Sequence, residues 1–387
     1  MATQFTKAEW KTINEELTDN GENYGLPNRV YGSVLMASFN IRKLGGVSKR
    51  NKDTWEFLAR VCSRFDLLAV QEVMDDMEGL NKLKSLMGSE FGMIVSDKTG
   101  AFPGDKGLGE RLAFIFRWSV IHRGEVVSDV TYDRSKVNSV LIENFDQISE
   151  AKAKYEAAMD RYNRGRRRTK PTLEIPVFTS FIRQPFCVSF MIKGHPGTKP
   201  YRFMAVNAHL IFGTPAQRKE EFESIMEWII ARVREDHRTY YPNFVLLGDL
   251  NLNYDNPDRD IKDVEDYLKS FDSKLGNRVN VNFPFLDVHP DQTEQFTSNV
   301  KLTQRYDQIG FFFREEGLPT HLDNDSMGKE DRGPDFGVFN FSELFSQALH
   351  GKSFKTLTKA EQNELVKRYH HKVSDHMPIW VRLPLPD

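Results

Sequence analysis

The sequence contains little cysteine and no long apolar run. Its 387 residues include only two cysteines, Cys62 and Cys187, and two thiols cannot build a disulfide framework or a cysteine-based zinc site. No stretch approaches the roughly eighteen consecutive apolar residues that indicate a transmembrane helix, so we expect no membrane partner. The first residues, MATQFTKAEWK, lack the basic and then apolar pattern of a secretory signal. These absences predict a protein of the reducing cytoplasm.

The sequence also lacks a strong net charge. Lys+Arg 53 against Asp+Glu 55 gives a formal net charge of −2, so the chain as a whole is not a polycation. A nucleic-acid partner would have to be held by a local basic surface. The stretch over 164–170, RGRRRTK, contains Arg166, Arg167 and Arg168. This stretch is either a solvated loop or a nucleic-acid contact, and its composition favours neither.

No internal repeat and no linker rich in proline, glycine or serine divides the chain. Short apolar runs alternate with helical patterns, and 39% of the residues are hydrophobic, so the sequence predicts one α/β domain with elaborations over 31–387. An isolated helix over roughly 6–19 is predicted within an N-terminal extension, 1–30. Two charged stretches, about 133–172 and 314–372, are predicted to be surface insertions.

Polar residues interrupt the apolar runs at the ends of the predicted strands. They are Asn40, Glu72, His209, Asp249, Asn251, Asp307, Asp375 and His376. Burying a carboxylate or an imidazole is costly unless the group is paired or binds a metal, so we expect these strand ends to converge on one polar cluster. Oxygen and imidazole donors without a thiolate suit Mg²⁺, Mn²⁺ or Ca²⁺ better than a structural zinc. In contrast, the adjacent His370 and His371 point apart on a helix, and we expect them at a solvated surface.

Six motifs carry a resemblance to a known family. In chain order they read SFNIRKL, LLAVQEV, VNAHL, LLGDLNLN, RYDQIGFF and SDHMPIW. This order resembles the motif series of the endonuclease/exonuclease/phosphatase superfamily over about 31–385. Two lesser motifs, ERLAFIFR and IRQPF, resemble the deoxyribonuclease I-like branch. The resemblance implies an α+β fold, a four-layer αββα sandwich in a single domain with surface insertions.

The resemblance also implies a role for each polar residue. The metal, Mg²⁺ or Mn²⁺ with Ca²⁺ as an alternative, would be held by Glu72 as the principal ligand, by Asn40 and by Asp375. The catalytic residues would be His209, Asp249, Asn251, Asp307 and His376. Arg183 and Arg111 would contact the substrate phosphate. His376, oriented by Asp307, would activate the attacking water with a near-neutral pKa, and His209 would protonate or hydrogen-bond a phosphate oxygen.

The resemblance leaves the substrate open, because one fold hosts many activities. The first hypothesis is a metal-dependent nuclease, with nucleic acid and above all DNA as its partner. The second is a phosphatase of a phosphorylated small molecule or lipid headgroup, and the third is a catalytically silent binding protein. The third is disfavoured because no motif position carries an inert residue. Met74 stands where the deoxyribonuclease I-like group often has an arginine for the DNA groove, so docking in that groove is in doubt. DNA against RNA and the oligomeric state stay open.

Overall fold

The computed structural model describes residues 4–99, 108–173, 177–178, 180–235, 241–252, 262–270, 279–315 and 317–386. The strands in these residues are β1 (Ser33–Leu44), β2 (Leu67–Met74), β3 (Phe91–Val95), β4 (Glu110–Arg117), β5 (Ile121–Asp129), β6 (Phe186–Ile192), β7 (Tyr201–His209), β8 (Phe244–Asp249), β9 (Asn280–Asn282), β10 (Asp307–Phe313), β11 (Asp335–Val338) and β12 (Ile379–Pro384). The α-helices are α1 (Lys7–Asn20), α2 (Lys52–Cys62), α3 (Glu78–Met87), α4 (Arg134–Glu143), α5 (Phe145–Asn163), α6 (Pro215–Arg234), α7 (262–270), α8 (Phe341–His350) and α9 (Lys359–Lys372). None of the helices in these ranges has the length and apolar character that crossing a membrane requires.

The strands form two mixed, six-stranded sheets. The first sheet has the order β11-β12-β1-β2-β4-β3, and the second has the order β5-β6-β7-β8-β10-β9. Each sheet has one parallel pair at its centre, β1 with β2 and β7 with β8. The other neighbours in both sheets are antiparallel. Because these pairs are parallel, the carboxyl ends of β1 and β2 lie side by side in the first sheet. The carboxyl ends of β7 and β8 lie side by side in the second sheet.

The central strands are buried on both faces because each lies between the other sheet and a layer of helices. In β7, Phe203 and Ala205 belong to the core between the sheets, whereas Met204 and Val206 belong to a second core that includes Ile225 of α6. This alternation follows the two-residue period of a strand. Helices α2 and α8 contribute to the core of the first sheet. The predicted four-layer αββα sandwich of the α+β class is confirmed.

The N-terminal helix is present, but it is not isolated. Helix α1 begins after a capping box formed by Thr6 and Glu9. Trp10 is buried and its ring lies 5.6 Å from that of Phe57 and 5.7 Å from that of Phe345, between ring centroids. The sequence pattern predicted the helix correctly and missed its packing, because the aromatic partners on α2 and α8 are distant in sequence.

The prediction of a surface insertion over 314–372 is wrong for much of that stretch. It contains β11, which pairs with β12 at the edge of the first sheet, and α8, in which Phe341, Leu344 and Phe345 are buried. Tyr369 of α9 is also buried. Charged residues between these elements dominate the composition of the stretch. The apolar positions were therefore not recognised in the sequence.

The stretch over 133–172 differs, because it carries two helices that bury nothing. Neither α4 nor α5 has a buried residue. Near the junction of the two helices, Ile142 of α4 is 77% exposed and Phe145 of α5 is 67% exposed. These helices therefore project from the sandwich into solvent.

A buried polar network joins the two sheets beneath the strand ends. Gln71 of β2 donates a hydrogen bond from Nε2 to Oδ1 of Asn207 in β7 over 2.7 Å and another to Oγ of Ser38 over 3.2 Å. Nδ2 of Asn207 donates in turn to the carbonyls of Val70 and Ala113 over 3.1 and 2.9 Å. Gln71, Asn207 and Ser38 have no exposed surface. Since buried polar groups are costly when unpaired, this network holds the sheets in one relative position.

We predict that Gln71→Met destabilises the protein by about 1–3 kcal/mol, because it leaves a buried acceptor on Asn207 without its donor. Asn207→Leu should cost more, since two main-chain carbonyls lose a donor as well. Urea unfolding measures both changes. Asn81→Leu on the exposed face of α3 is the control and should change stability by less than about 0.5 kcal/mol. Wild-type stability of Gln71→Met would contradict this role for the network.

Candidate active site at the rim of the sandwich

Three of the candidate residues lie side by side at one end of the second sheet. His209 and Asp249, the last residues of β7 and β8, are partners in the parallel ladder. Asp307, the first residue of β10, is the antiparallel partner of Asp249 on the other side. All three are buried. The strand register therefore places two carboxylates and an imidazole at the same edge.

Asn40 joins this edge to the first sheet. Its Nδ2 donates a hydrogen bond to Oδ2 of Asp249 over 2.9 Å and another to Oε1 of Glu72 over 3.2 Å. The other oxygen of Glu72, Oε2, accepts a hydrogen bond from the main-chain N–H of Lys43 over 2.9 Å. One amide thus holds two carboxylates that come from different sheets.

Two of the site residues have strained backbones. Glu72 has φ 56° and Asn251 has φ 49°, in the left-handed region that costs a residue with a side chain free energy. The main-chain N–H of Asn251 donates to Oδ1 of Asp249 over 3.0 Å, and its Nδ2 donates to the carbonyl of Leu210 over 2.7 Å. These bonds hold the turn after β8 against the segment that follows His209.

His376 is paired with Asp307, as the sequence predicted. Nδ1 of His376 lies 2.8 Å from Oδ2 of Asp307, and its Nε2 lies 3.6 Å from Oδ2 of Asp249. The main chain of His376 forms a β-bridge with Asn299, and the ring of Tyr306 lies 5.4 Å away between centroids. The imidazole is therefore fixed between two carboxylates.

The two histidines of the site have opposite charge preferences. Burial disfavours a charged His376, but the negative charges of Asp307 and Asp249 outweigh burial and raise the pKa of His376 to about 10. This pKa is higher than the near-neutral value expected from the sequence. Burial, together with the positive charge of Arg183, holds the pKa of His209 well below its ordinary value of 6.5. In the cation-free protein, these shifts favour the imidazolium form of His376 and the neutral form of His209.

Neutral His209 lies between two carboxylates without a close hydrogen bond to either. Its Nε2 is 3.5 Å from Oδ2 of Asp249, and its Nδ1 is 3.8 Å from Oε2 of Glu110. Nδ1 is buried and has no hydrogen-bond partner among the described residues. The position of the imidazole is therefore set by packing and by these longer contacts to Asp249 and Glu110.

The two arginines expected to bind phosphate are engaged by the protein itself. Nε of Arg183 is paired with Glu110, and its Nη1 donates to the carbonyls of His209 and Leu210 over 3.3 Å each. Nη1 of Arg111 donates to the carbonyl of Ser96 over 2.9 Å. Arg183 thus holds the main chain at His209 in place. The sequence analysis had expected it to contact the substrate phosphate.

Asp375, expected to be a metal ligand, is engaged by other side chains through one of its two oxygens. Its Oδ2 forms an ion pair with Nη1 of Arg42 over 2.7 Å and lies 3.2 Å from Nε2 of His370. Burial raises the pKa of Asp375, but the hydrogen bond from His370 and the charges of His376 and Arg42 outweigh burial and lower the pKa to about 2. His370 is therefore not at a freely solvated surface as expected, because α9 packs it against the segment before His376.

Sequence reasoning missed Arg42, Glu110, Tyr306 and His370. The first three stand inside motifs that the sequence analysis used, Arg42 two residues after Asn40 and Tyr306 directly before Asp307. Their polar or aromatic side chains beside a candidate residue were a usable signal. His370 had no such signal, because only the packing of α9 brings it to Asp375.

The side chains at the rim fit a divalent cation that prefers oxygen. Oδ1 of Asn40, Asp307 and Asp375 is buried without a hydrogen-bond partner among the described residues. Asp249, Asp307 and His376 each offer a ligand atom within 4.8 Å of one another, and Asn40 connects this group to Glu72. Carboxylate and amide oxygens are the ligands that Mg²⁺, Mn²⁺ and Ca²⁺ take in proteins.

We predict that Asp307→Asn lowers the pKa of His376 in cation-free protein, because it removes one of the negative charges that stabilise the imidazolium. In the wild type, the ring should titrate well above 6.5, toward about 10. Histidine ¹⁵N NMR in the presence of a chelator measures both titrations. The control is Asp335→Asn, whose carboxylate pairs with His289 and which should leave His376 unchanged. An unaltered titration in Asp307→Asn would show that the pair does not set the charge of His376.

The chain is similar to several known proteins at low sequence identity. No family model matches the sequence. A protein named Deoxyribonuclease from Thioalkalivibrio sp. (strain K90mix) is 27% identical over 235 residues, which are 59% of this chain and 48% of that protein. The chain thus spans about half the length of this curated relative.

Solved structures are similar at low sequence identity. A functionally unknown conserved protein from Enterococcus faecalis is 13% identical, with a TM-score of 0.48 over 91% of this chain and 100% of its own. An endonuclease/exonuclease/phosphatase family protein from Bacteroides thetaiotaomicron is 13% identical, with a TM-score of 0.45 over 91% of this chain and 97% of its own. The two six-stranded sheets of this chain agree with the fold that the motif resemblance implies.

Proposed function

We propose that this protein is a divalent-metal-dependent phosphodiester hydrolase that cleaves DNA as an endonuclease. The observation that carries the proposal is the rim cluster itself, in which the His376–Asp307 pair lies beside Asp249 and Asn40 links Asp249 to Glu72. DNA as the substrate is supported by the 27% identical relative, which is named a deoxyribonuclease. It is supported as well by the exposed arginines after α5, Arg166, Arg167 and Arg168.

Glu72 and Asn40 would hold the cation, because a carboxylate and the unpartnered amide oxygen beside it offer hard oxygen ligands. A bound divalent cation would neutralise charge on the phosphodiester and lower the pKa of His376 by repulsion, which supplies the neutral imidazole that a general base requires. His376 would then take the proton of the attacking water at Nε2, since its Nδ1 is held by Asp307. Asp249 would orient that water or the phosphate, because its Oδ2 lies near both histidines.

His209 would act on the phosphate as a neutral hydrogen-bond donor. Its low pKa keeps it uncharged, so it would donate an N–H to a non-bridging or leaving oxygen. Arg183 and Asn251 would fix the main chain around His209 through their bonds to the carbonyls of His209 and Leu210. Asp375, held by Arg42 and His370, would fix the segment that carries His376.

The test is a substrate panel with the purified protein. We expect nicking of supercoiled plasmid in Mg²⁺ or Mn²⁺, no nicking in excess chelator, and little phosphate release from phosphorylated sugars, inositols or lipid headgroups. Glu72→Gln keeps the shape of the side chain and removes its charge, so plasmid nicking should fall by at least about 100-fold while circular dichroism shows the fold retained.

Three results would contradict the proposal. The first is phosphate release without DNA cleavage, which would identify a phosphatase, and the second is full activity in chelator. The third is wild-type nicking by Glu72→Gln. Glu78→Gln on α3 removes the same charge outside the rim and serves as the matched control, with nicking equal to that of the wild type.

A further inference from the structure

The projecting helices are tied to the active-site rim at both of their ends. Strand β5 ends at Asp129, which pairs with Phe186 of β6, and Phe186 pairs with Asn207, two residues before His209. The N–H of Val130 donates to the carbonyl of Pro185 over 2.8 Å, so the chain leaves and re-enters the sheet at one point. The helices therefore rise from the edge of the sandwich that carries the candidate active site.

An aromatic contact closes the base of this projection. The ring of Phe178 lies 5.2 Å from that of Tyr132 and 4.9 Å from that of Phe181, between centroids. Two residues after Phe181, Arg183 is bonded to the carbonyl of His209. The base of the projection is therefore two residues along the chain from an arginine that holds the His209 segment.

The chain after α5 folds back along that helix and leaves a groove of about 490 Å³. One wall is α5, with Lys154 and Tyr155, and the other is the returning segment, with Arg167 and Lys170. Arg167 is held in place because its Nε donates to the carbonyl of Thr169 over 2.9 Å. No acidic residue is among the described residues that line the groove.

We propose that this groove binds a single nucleic-acid strand outside the catalytic centre. Its three cations complement phosphates, and Tyr155, which is half-buried, offers a ring for a base. Basic grooves with an aromatic platform are the recurrent solution for single strands. This inference rests on the proposed function, since the strand would be the one that the rim hydrolyses.

The dimensions of the groove set the length of strand that it can hold. Helix α5 lines the groove from Ala151 to Ala158, a stretch that spans roughly 12 Å at about 1.5 Å per residue. At about 3.4 Å per nucleotide, this stretch accommodates roughly three to four nucleotides.

The experiment uses the full chain carrying Glu72→Gln, so that the labelled DNA is not cleaved during the measurement. Fluorescence anisotropy follows the binding of a 30-nucleotide oligothymidine between about 50 and 200 mM salt. Lys154→Ala/Lys170→Ala removes two groove cations. Lys152→Ala/Arg161→Ala removes two cations that do not line the groove and gives the same change in net charge. Circular dichroism checks that both variants keep the helices.

We expect the groove variant to bind at least about tenfold more weakly and its salt slope to fall by about 1.4, which is 0.7 for each lost contact to a single strand. The control variant should change affinity by less than about threefold, because only general attraction is reduced. Tyr155→Ala should weaken binding and Tyr155→Phe should not, since stacking requires only the ring.

Equal losses in the groove and control variants would overturn the groove proposal. So would a loss of affinity for a 30-base-pair duplex in the groove variant as large as its loss for the single strand. Equal competition by polyglutamate would also overturn it and would indicate an acidic protein partner. Plasmid nicking by the protein with an unaltered Glu72 is measured alongside. If the protein nicks plasmid but the groove variants bind DNA as the wild type does, only the groove proposal is rejected. If the protein hydrolyses no phosphodiester, the proposed function is rejected.

Discussion

The arrangement of the site depends on the hydrogen bonds of Asn40. Its amide bridges Glu72 at the end of β2 and Asp249 at the end of β8, so one neutral side chain sets how far the carboxylates of the two sheets stand apart. The network of Gln71 and Asn207 lies directly beneath it. Sheets that slid past one another would break both sets of bonds, and the cost of unpaired buried groups opposes such movement.

Buried negative charge is the second constraint. Asp249 and Asp307 lie next to each other in the ladder with His376 between them, and two buried carboxylates repel unless a positive charge is present. In the cation-free protein, the two carboxylates favour the imidazolium form of His376. A divalent cation held near the same carboxylates would favour the neutral form of this side chain.

The sequence predicted that the rim residues would converge, because each lies at or near the end of an apolar strand, and the family resemblance implied the sandwich. It also predicted the His376–Asp307 pair through a family resemblance. It failed where the outcome depended on packing between distant segments. The charged stretch over 314–372 contains a buried strand and helix, His370 reaches Asp375 only through α9, and Arg183 is engaged by Glu110 and main-chain carbonyls. Local sequence patterns identify the polar groups at the strand ends. The partners of those groups depend on contacts between segments that are distant in sequence.

We propose that the rim where the two sheets meet holds a divalent cation for phosphodiester hydrolysis. The most direct test is a crystal of the full chain soaked in Mn²⁺, with anomalous diffraction measured at the manganese edge. We expect an anomalous peak at the rim, bound by the carboxylate of Glu72 and by Oδ1 of Asn40, and its loss in Asn40→Ala crystals. A rim without a peak, or a peak that contacts neither Glu72 nor Asn40, would contradict the account.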